Sequence, residues 1–234
     1  MSRRRCWHYL PAVQPFDDLA QIDKLLMTTK SVRRRLDLER PVDRDVVTEC
    51  IGLAAYSPNA SNAQEWRWVV VDDPELRARA GEQYRKVLVP LVSTMLKNKE
   101  AAGDEAGARI SRSILYLADH MGEVPVLVFP CYDLEAAARR YGAVLSPDRA
   151  PTAMRSDQYA SIYPAVWSFQ LALRSRGLGS VLTTAHQEDQ AAMAEILDIP
   201  TSWDQTCLIP VAHVTGDDFT PSPRGPVADT IVWR

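Results

Sequence analysis

The stretch "QYASIYPAVWSFQLALRSR", residues 158–176, constrains the fold more than any other part of the chain. At helical spacing one face carries Tyr159, Ile162, Val166, Phe169 and Leu173, and much of the remaining surface carries Tyr163, Trp167, Leu171 and Ala172. A helix that is apolar nearly all round must be central in the fold or lie at a subunit interface. A chain of 234 residues with 46% hydrophobic residues has enough apolar material to bury it in a sizeable core.

The rest of the pattern alternates helices with short strands. Helices are predicted over 15–30, over 43–56 and from Asp73 onward, with Asp43 and Asp73 as caps, and strands over 66–72 and 124–133. After Gly177, which suits a left-handed helix cap, the pattern predicts a strand over 180–184, a helix over 187–197, a strand near 206–214 and an irregular proline-rich tail. This alternation by itself favours an α/β-type sandwich with a parallel sheet.

Composition excludes several classes of protein. A net charge of -3 argues against wholesale nucleic-acid binding, and no apolar stretch is long enough for a membrane span. The basic start, with "RRR" at 3–5 as a solvated surface, lacks the apolar run of a secretory signal, so we expect a cytoplasmic protein. The four cysteines and four histidines are scattered, which predicts no metal site and no disulfide framework; the cysteines are expected to be small buried hydrophobes.

Cations cluster in "TTKSVRRRLD", residues 28–37. Lys30, Ser31 and Arg33 present two cations and a hydroxyl within four residues, which suits the charge and acceptor oxygens of a phosphate monoester. The alternative is a cationic helix end that interacts with its own dipole. The chain has no G-x-x-x-x-G-K-[ST] loop, and "GLG" at 177–179 does not continue into G-x-G-x-x-G. A phosphate would therefore be held by side chains from separate segments.

Neutral amides cluster in "SPNASNAQEWRW", residues 57–68. Asn59, Asn62 and Gln64 supply both donors and acceptors, which suits the polar edge of a uracil-like ring or a ribityl chain. The alternative is an amide-rich turn that caps the following strand. Trp66 and Trp68 lie two apart, on one face of that strand, where core packing is the usual role.

Five blocks together resemble a known family. In order they are "SVRRRLDLERPV", "AAYSPNASNAQEWRWVVVDD", "YASIYPAVWSFQLALRSRGLGSVLTT", "ILDIP…IPVAHV" and "PSPRGPV". They are similar to the successive blocks of the FMN-dependent nitroreductase family, over roughly residues 22–227. The resemblance implies an α+β sandwich, with a mixed, mainly antiparallel sheet flanked by helices, in an intertwined homodimer with FMN in two interface sites. This replaces the parallel sheet that the alternation alone suggests.

The resemblance also assigns residues to the cofactor. It implies that the FMN phosphate is bound by Lys30, Ser31, Arg33 and Arg224. It implies that the partner chain supplies Pro58, Asn59, Ala60, Asn62 and Gln64 to the ring and ribityl groups. Leu182, Thr183 and Thr184 would lie along the isoalloxazine, with backbone N–H groups near its reactive edge.

Three positions depart from the family pattern. Thr29 stands where arginine is frequent, so phosphate binding would depend more on Lys30 and Arg33. Glu65 replaces a common proline or glycine, which would alter the local backbone or place a charge near the site. The small pair expected after Pro58 is Asn59–Ala60, so the ring contact would differ.

The implied activity is an NAD(P)H-dependent oxidoreductase. Hydride from NADH or NADPH would reach flavin N5 and pass to a nitroaromatic, quinone or activated alkene by a ping-pong mechanism, with no side chain assigned as catalytic. Two alternatives stay open: a flavin-dependent dehydrogenase or reductive dehalogenase for one metabolite, and a non-catalytic flavin carrier or sensor.

We expect one domain over 21–234 with a helical lid at about 85–123 that determines the acceptor, and an N-terminal extension over 1–20 with no assigned role. Tyr163 and Trp167 would touch substrate or belong to the core.

Overall fold

The fold is taken from a computed structural model, which describes residues 16–141 and 151–234. The first half contains helix α1 (Leu19–Thr28), helix α2 (Arg44–Ala54), strand β1 (Trp66–Val71), helices α3 (Pro74–Ala101) and α4 (Glu105–His120), and strand β2 (Val126–Asp133). The second half contains helices α5 (Leu134–Tyr141) and α6 (Pro151–Ser175), strand β3 (Leu178–Ser180), helix α7 (Gln190–Leu197), and strands β4 (Trp203–Gln205) and β5 (Ile209–His213). The "RRR" trio and Cys6 lie outside the described residues.

The sheet confirms the antiparallel α+β fold. Its strands run in the order β1-β2-β5-β3, β4 pairs with the other end of β2, and every described ladder is antiparallel. The parallel sheet expected from strand–helix alternation is therefore wrong. The reason is the connection from β1 to β2: α3 and α4 are joined by a short turn and pack on each other, so the chain returns to the end of the sheet it left.

Two hydrophobic clusters lie on the two faces of the sheet. Every residue of β2 is buried, as its apolar sequence predicts. Leu127, Phe129 and Cys131 belong to the cluster under α3, α4 and α7, whereas Val126 and Val128 belong to the cluster under α2 and α6. Successive residues of the strand thus point to opposite faces.

Helix α6 is buried along one face only. Ile162, Val166, Phe169 and Leu173 are buried in the second cluster. Trp167, in contrast, keeps 42% of its surface exposed in the single chain, and Tyr159 keeps 38%. The apolar far side of the helix is therefore uncovered within one chain.

Local signals predict element ends well. Asp43 and Asp73 accept hydrogen bonds from the first turns of α2 and α3, and Gly177 has a left-handed φ of 76°. The strand expected over 180–184 instead ends at Ser180. Beyond it, only Thr183 makes an isolated bridge, to Leu208.

Helix α3 touches the turn after α4 through glycine. A Cβ on Gly81 would lie 2.4 Å from the nitrogen of Gly122, which is closer than atoms can pack. Backbone therefore contacts backbone here, and the start of α3 is fixed against residues 121–123.

Cys50, Cys131 and Cys207 are buried free thiols, as expected of small hydrophobic residues. Burial raises the pKa of Cys131 and Cys207 to about 12. Among the described helices, none combines the length and apolar character needed to cross a bilayer.

Candidate cofactor and acceptor site

The cationic segment lies alongside the edge of β3. The Val32 amide donates to the Ser180 carbonyl at 2.9 Å, and Leu36 forms an isolated bridge with Val214. Ser31 is exposed next to this contact, and Val32 is buried against Gly179. The structure thus brings the cationic segment to the strand that leads into residues 182–184.

Arg33 is a partly buried cation without a counterion. Among the described residues, no carboxylate pairs with it and no side-chain hydrogen bond is found for its guanidinium. Burial lowers the pKa of Arg33 despite the nearby Tyr84 phenol. Arg33 lines a cavity of about 360 Å³ together with Leu182, Thr183 and Thr184. An unpaired, desolvated cation beside a cavity favours an anionic ligand.

Residues 182–184 are held from two sides. Thr183 exchanges backbone hydrogen bonds with Leu208, at 3.0 and 2.8 Å, and its hydroxyl is 2.8 Å from the Tyr84 hydroxyl on α3. The Thr183 N–H is therefore already bonded within the chain. Within the described parts of the chain no backbone acceptor is found for the N–H groups of Leu182 and Thr184, and both residues are exposed.

Lys30 binds the C-terminal tail. Its ammonium donates to the Thr220 carbonyl at 2.9 Å and lies 5.2 Å from the centre of the Phe219 ring. Arg35 and Arg174 also lie over this ring, at 4.3 and 5.2 Å, so three cations surround one aromatic side chain. An ammonium has three donors, so the tail contact leaves capacity for a phosphate.

Arg224 lies four residues beyond Thr220. The extended chain reaches at most about 14 Å over that distance, which keeps Arg224 in the neighbourhood of Lys30. Its side chain is exposed and donates only to the Pro223 carbonyl, among the described residues. Thr29, the departure from the family pattern, caps its own helix by donating to the Leu25 carbonyl at 2.7 Å.

The amide segment forms a strained loop between α2 and β1. Ser61, Asn62 and Gln64 have positive φ values of 55°, 51° and 52°, which side-chain-bearing residues adopt rarely. Asn59 shapes the loop: its Oδ1 accepts from the Gln64 amide at 2.9 Å, and its amide nitrogen donates to the Ser57 carbonyl. Asn62 and Gln64 are exposed and contact mainly each other, at 3.3 and 3.4 Å. Such clustered strain occurs most often at ligand sites.

The loop is anchored on α6. The Ala60 amide donates to the Ser161 hydroxyl at 3.2 Å, and the Trp66 indole donates to the Ser161 carbonyl at 3.1 Å. Pro58 is exposed at the start of the loop. Trp66 is buried and Trp68 packs near Phe169, so both tryptophans belong to the core, as predicted.

Glu65 lies buried behind the loop. Arg140 of α5 donates to both of its carboxylate oxygens at 2.8 and 2.7 Å, and the Tyr132 hydroxyl donates at 2.6 Å. Burial opposes ionisation, but these hydrogen bonds outweigh it and hold the pKa of Glu65 below its usual range. The charge at this position is therefore neutralised inside the protein.

The two halves of the expected site contact α6 at different positions. The amide loop contacts α6 at Ser161, whereas the region of β3 contacts α6 at Gln170, which donates to the Ser180 hydroxyl at 3.1 Å. Nine residues of helix separate these contacts by about 13 Å. The cavity beside Arg33 includes no residue of the loop. This separation fits contributions to two different sites.

Several site residues escape sequence reasoning. His186 follows the 182–184 segment; both of its ring nitrogens are buried without a partner among the described residues, and burial lowers its pKa to about 4. Tyr84 directly precedes the expected lid, and its hydroxyl lies 2.8 Å from that of Thr183. No local signal identifies Phe219 as the centre of a cation cluster. Tyr163 is half-buried and donates to the Thr206 carbonyl at 3.1 Å, which favours a packing role.

Comparison with known proteins places the chain in a family. The model of the nitroreductase family matches residues 26–213. The chain is 31% identical to the CLA biosynthesis enone reductase of Lactiplantibacillus plantarum over 98 residues. This aligned segment covers 42% of this chain and 43% of that protein. It is 26% identical over 199 residues to an iodotyrosine deiodinase of Thermotoga neapolitana, covering 85% and 90% of the two chains.

A solved structure gives the same fold. The FMN and NADPH-dependent nitroreductase NfnB of Sphigopyxis sp. strain HMH superposes with a TM-score of 0.64 at 18% identity, over 91% of this chain and 98% of that one. The sheet, the flanking helices and the matched segment define a nitroreductase-type α+β fold. The chain belongs to the nitroreductase family, a family of flavoproteins.

Proposed function

We propose that the protein binds FMN between two copies of the chain and is an oxidoreductase for an electron-poor small molecule. The observation that carries the proposal is Arg33, a half-buried cation without a counterion beside Ser31 and the 182–184 segment. Lys30, Ser31, Arg33 and Arg224 would bind the phosphate. Arg33 and Lys30 also favour the anionic form of a reduced ring, whereas a carboxylate would oppose it.

The amide loop would complete the partner's site. Asn62 and Gln64 present neutral donors and acceptors on an exposed loop, and neither titrates when the bound ring changes its redox state. Pro58, Asn59 and Ala60 set the shape of that loop. The N–H groups of Leu182 and Thr184, for which the described residues provide no backbone acceptor, would supply donors at the other side of the ring. Trp167 and Tyr159, exposed on α6, suit the subunit contact that this arrangement needs.

FMN when bound supplies hydride transfer between NADH or NADPH and the acceptor. For an activated alkene the balance is one hydride and one proton added across the carbon–carbon double bond, with NAD(P)⁺ released. The residues of this chain would bind, orient and exclude water; none needs to act as an obligatory acid. The similarity to an enone reductase supports an activated alkene as acceptor, and the similarity to a deiodinase supports a single-metabolite dehalogenase as the second candidate.

The first test is the visible spectrum before and after anaerobic addition of NADPH. We expect a yellow protein whose absorbance is bleached by NADPH and restored by a quinone. Bound FMN that NADPH cannot bleach would indicate a flavin carrier, and a colourless protein that refuses added FMN would contradict the proposal.

The phosphate assignment is tested with the double variant Arg33→Ala/Arg224→Ala. Each charge-assisted hydrogen bond contributes about 1.5–3 kcal/mol, so each lost arginine should weaken FMN binding by about tenfold to 100-fold. FMN retained after dialysis is the measurement, and Arg79→Ala, an exposed arginine on α3, is the control. A double variant that stays fully yellow would show the assignment to be wrong.

A further inference from the structure

A groove lined by aliphatic side chains continues from the 182–184 segment along α3 and α4. Helix α3 contributes Val87, Leu88, Leu91, Val92 and Met95, which recur on one stripe of the helix, and α4 contributes Ile114 and Leu117. From Val87 to Met95 the stripe extends about 12 Å along the helix axis. The groove therefore extends well beyond residues 182–184, along the surface of α3.

Part of this lining is exposed to water. Leu91 is 55% exposed, Met95 44% and Leu182 36%. Apolar side chains that share a groove and remain exposed mark a binding surface more often than scattered ones do. The groove is the part of the cavity beside Arg33 that extends along α3 and α4, away from residues 182–184. It therefore adjoins the proposed flavin site, which makes an acceptor molecule its natural occupant.

The lining favours a saturated chain over a flat ring. Tyr84 is the one aromatic residue among the described groove residues; it is 1% exposed, and its hydroxyl is engaged with Thr183. Beyond the proposed flavin, a ring therefore finds no accessible aromatic side chain in the groove on which to stack. Aliphatic side chains instead stabilise a bound hydrocarbon chain by burying its apolar surface and by dispersion contacts.

The charges of the lining do not match an amino-acid-like head group. Arg33 and Glu188 are the charged residues of the described groove, and the proposed function assigns Arg33 to the FMN phosphate. Only Glu188 then remains for a ligand, so a zwitterion would leave its carboxylate unpaired.

We propose that the acceptor carries an unbranched alkyl chain, which lies in this groove with the electron-poor group at the 182–184 end. The proposal rests on the proposed function for the identity of the reacting group. The recognition of the chain belongs to residues of α3 and α4 and is measurable without turnover.

Binding of saturated methyl ketones tests chain recognition on the protein as purified. With butyl, hexyl and octyl chains, calorimetry should show affinity that rises by up to about fourfold per methylene, or about 0.8 kcal/mol. The double variant Leu91→Gln/Met95→Gln should lose this dependence. Ile110→Gln, at an equally exposed position on α4 outside the groove lining, should keep it.

An affinity that does not depend on chain length, or an equal loss in Ile110→Gln, would overturn the proposal. A change of mass in light scattering for the Leu91→Gln/Met95→Gln variant would also overturn it, because the groove would then be a subunit contact.

Reoxidation of the NADPH-reduced protein by benzoquinones with methyl, pentyl and decyl substituents separates the two proposals. If the methyl compound reacts and the longer ones gain nothing, chain recognition fails alone. If none reacts while the ketones bind by length, the proposed function fails alone.

Discussion

The carboxylate of Glu65 is buried but ionised, because Arg140 binds both of its oxygens and the Tyr132 hydroxyl donates to one of them. It directly follows Gln64, the last residue of the amide loop with a left-handed backbone. The ion pair therefore fixes the end of a loop that local preferences would not hold in this shape.

Replacing Glu65 with Gln should lower the free energy of unfolding by about 2 kcal/mol. Removing one partner of a fully buried pair costs about 3–5 kcal/mol, and Arg140 retains some contact with water, which reduces the effect. Urea denaturation at neutral pH measures it. The matched control is Glu82→Gln, at an exposed position on α3, where little change is expected.

The same pair predicts the pH dependence of this difference. Since the pKa of Glu65 is lowered by folding, its stabilisation is present above the ordinary value of 4.5 and is lost as the pH falls through the folded value. The gap between wild type and Glu65→Gln should therefore be full at pH 7 and shrink below about pH 4.5. A gap that grows on acidification would show that Glu65 is not held ionised.

At the scale of elements, the amide loop stores backbone strain. Ser61 has a φ of 55° and an exposed side chain that forms no hydrogen bond with the described residues. Ser61→Gly should raise the free energy of unfolding by up to about 1 kcal/mol, because glycine accepts this conformation without steric cost. Ser61→Val should lower the free energy of unfolding by about 1–3 kcal/mol, since a β-branched residue rarely adopts a positive φ.

Chemical denaturation of these variants measures the strain. The control is Ser93→Gly in the interior of α3, where glycine should lower stability by about 0.5 kcal/mol. If glycine has the same effect at positions 61 and 93, the loop is not strained.

Elements governed by local chemistry were predictable from the sequence. The caps Asp43 and Asp73, the stop at Gly177 and the buried strand β2 all depend on residues next to them in the chain. Strand direction was predictable from the family resemblance but not from local patterns, because a helix pattern does not show whether two helices form a hairpin. The three-residue strand β4 is too short for a periodic signal.

The candidate site was predictable in composition but not in contacts. The amides and cations indicate polar ligands, but the residue types at positions 61 and 64 do not predict the left-handed φ values of Ser61 and Gln64. Lys30 meets Thr220 across 190 residues, and Glu65 meets Arg140 across 75. Such pairs are set by the packing of the sheet, which no local pattern contains.

At the scale of the whole molecule, mixed dimers test whether each site is built from two chains. One chain carries Arg33→Ala and the other Asn62→Ala, so each homodimer has two damaged sites. In a heterodimer with shared sites, one site combines both changes and the other is intact. We therefore expect heterodimers, purified through two different tags, to retain about one FMN per dimer.

The outcome against this arrangement is equally clear. If Arg33 and Asn62 serve the same site of one chain, every site in the heterodimer carries one change, and FMN retention should match that of the homodimers. A protein that runs as a monomer and keeps its FMN would also contradict shared sites.

The glycine contact between α3 and the 121–123 turn has a consequence for selectivity. Because backbone packs directly on backbone at this contact, the distance between α3 and the 121–123 turn is fixed, and so is the width of the groove near Tyr84. Farther along α3, Pro90 lacks the N–H that would bond to the Lys86 carbonyl, and the helix bends more easily there. Molecules that enter would be selected by thickness near Tyr84 and accepted over a range of lengths near Met95.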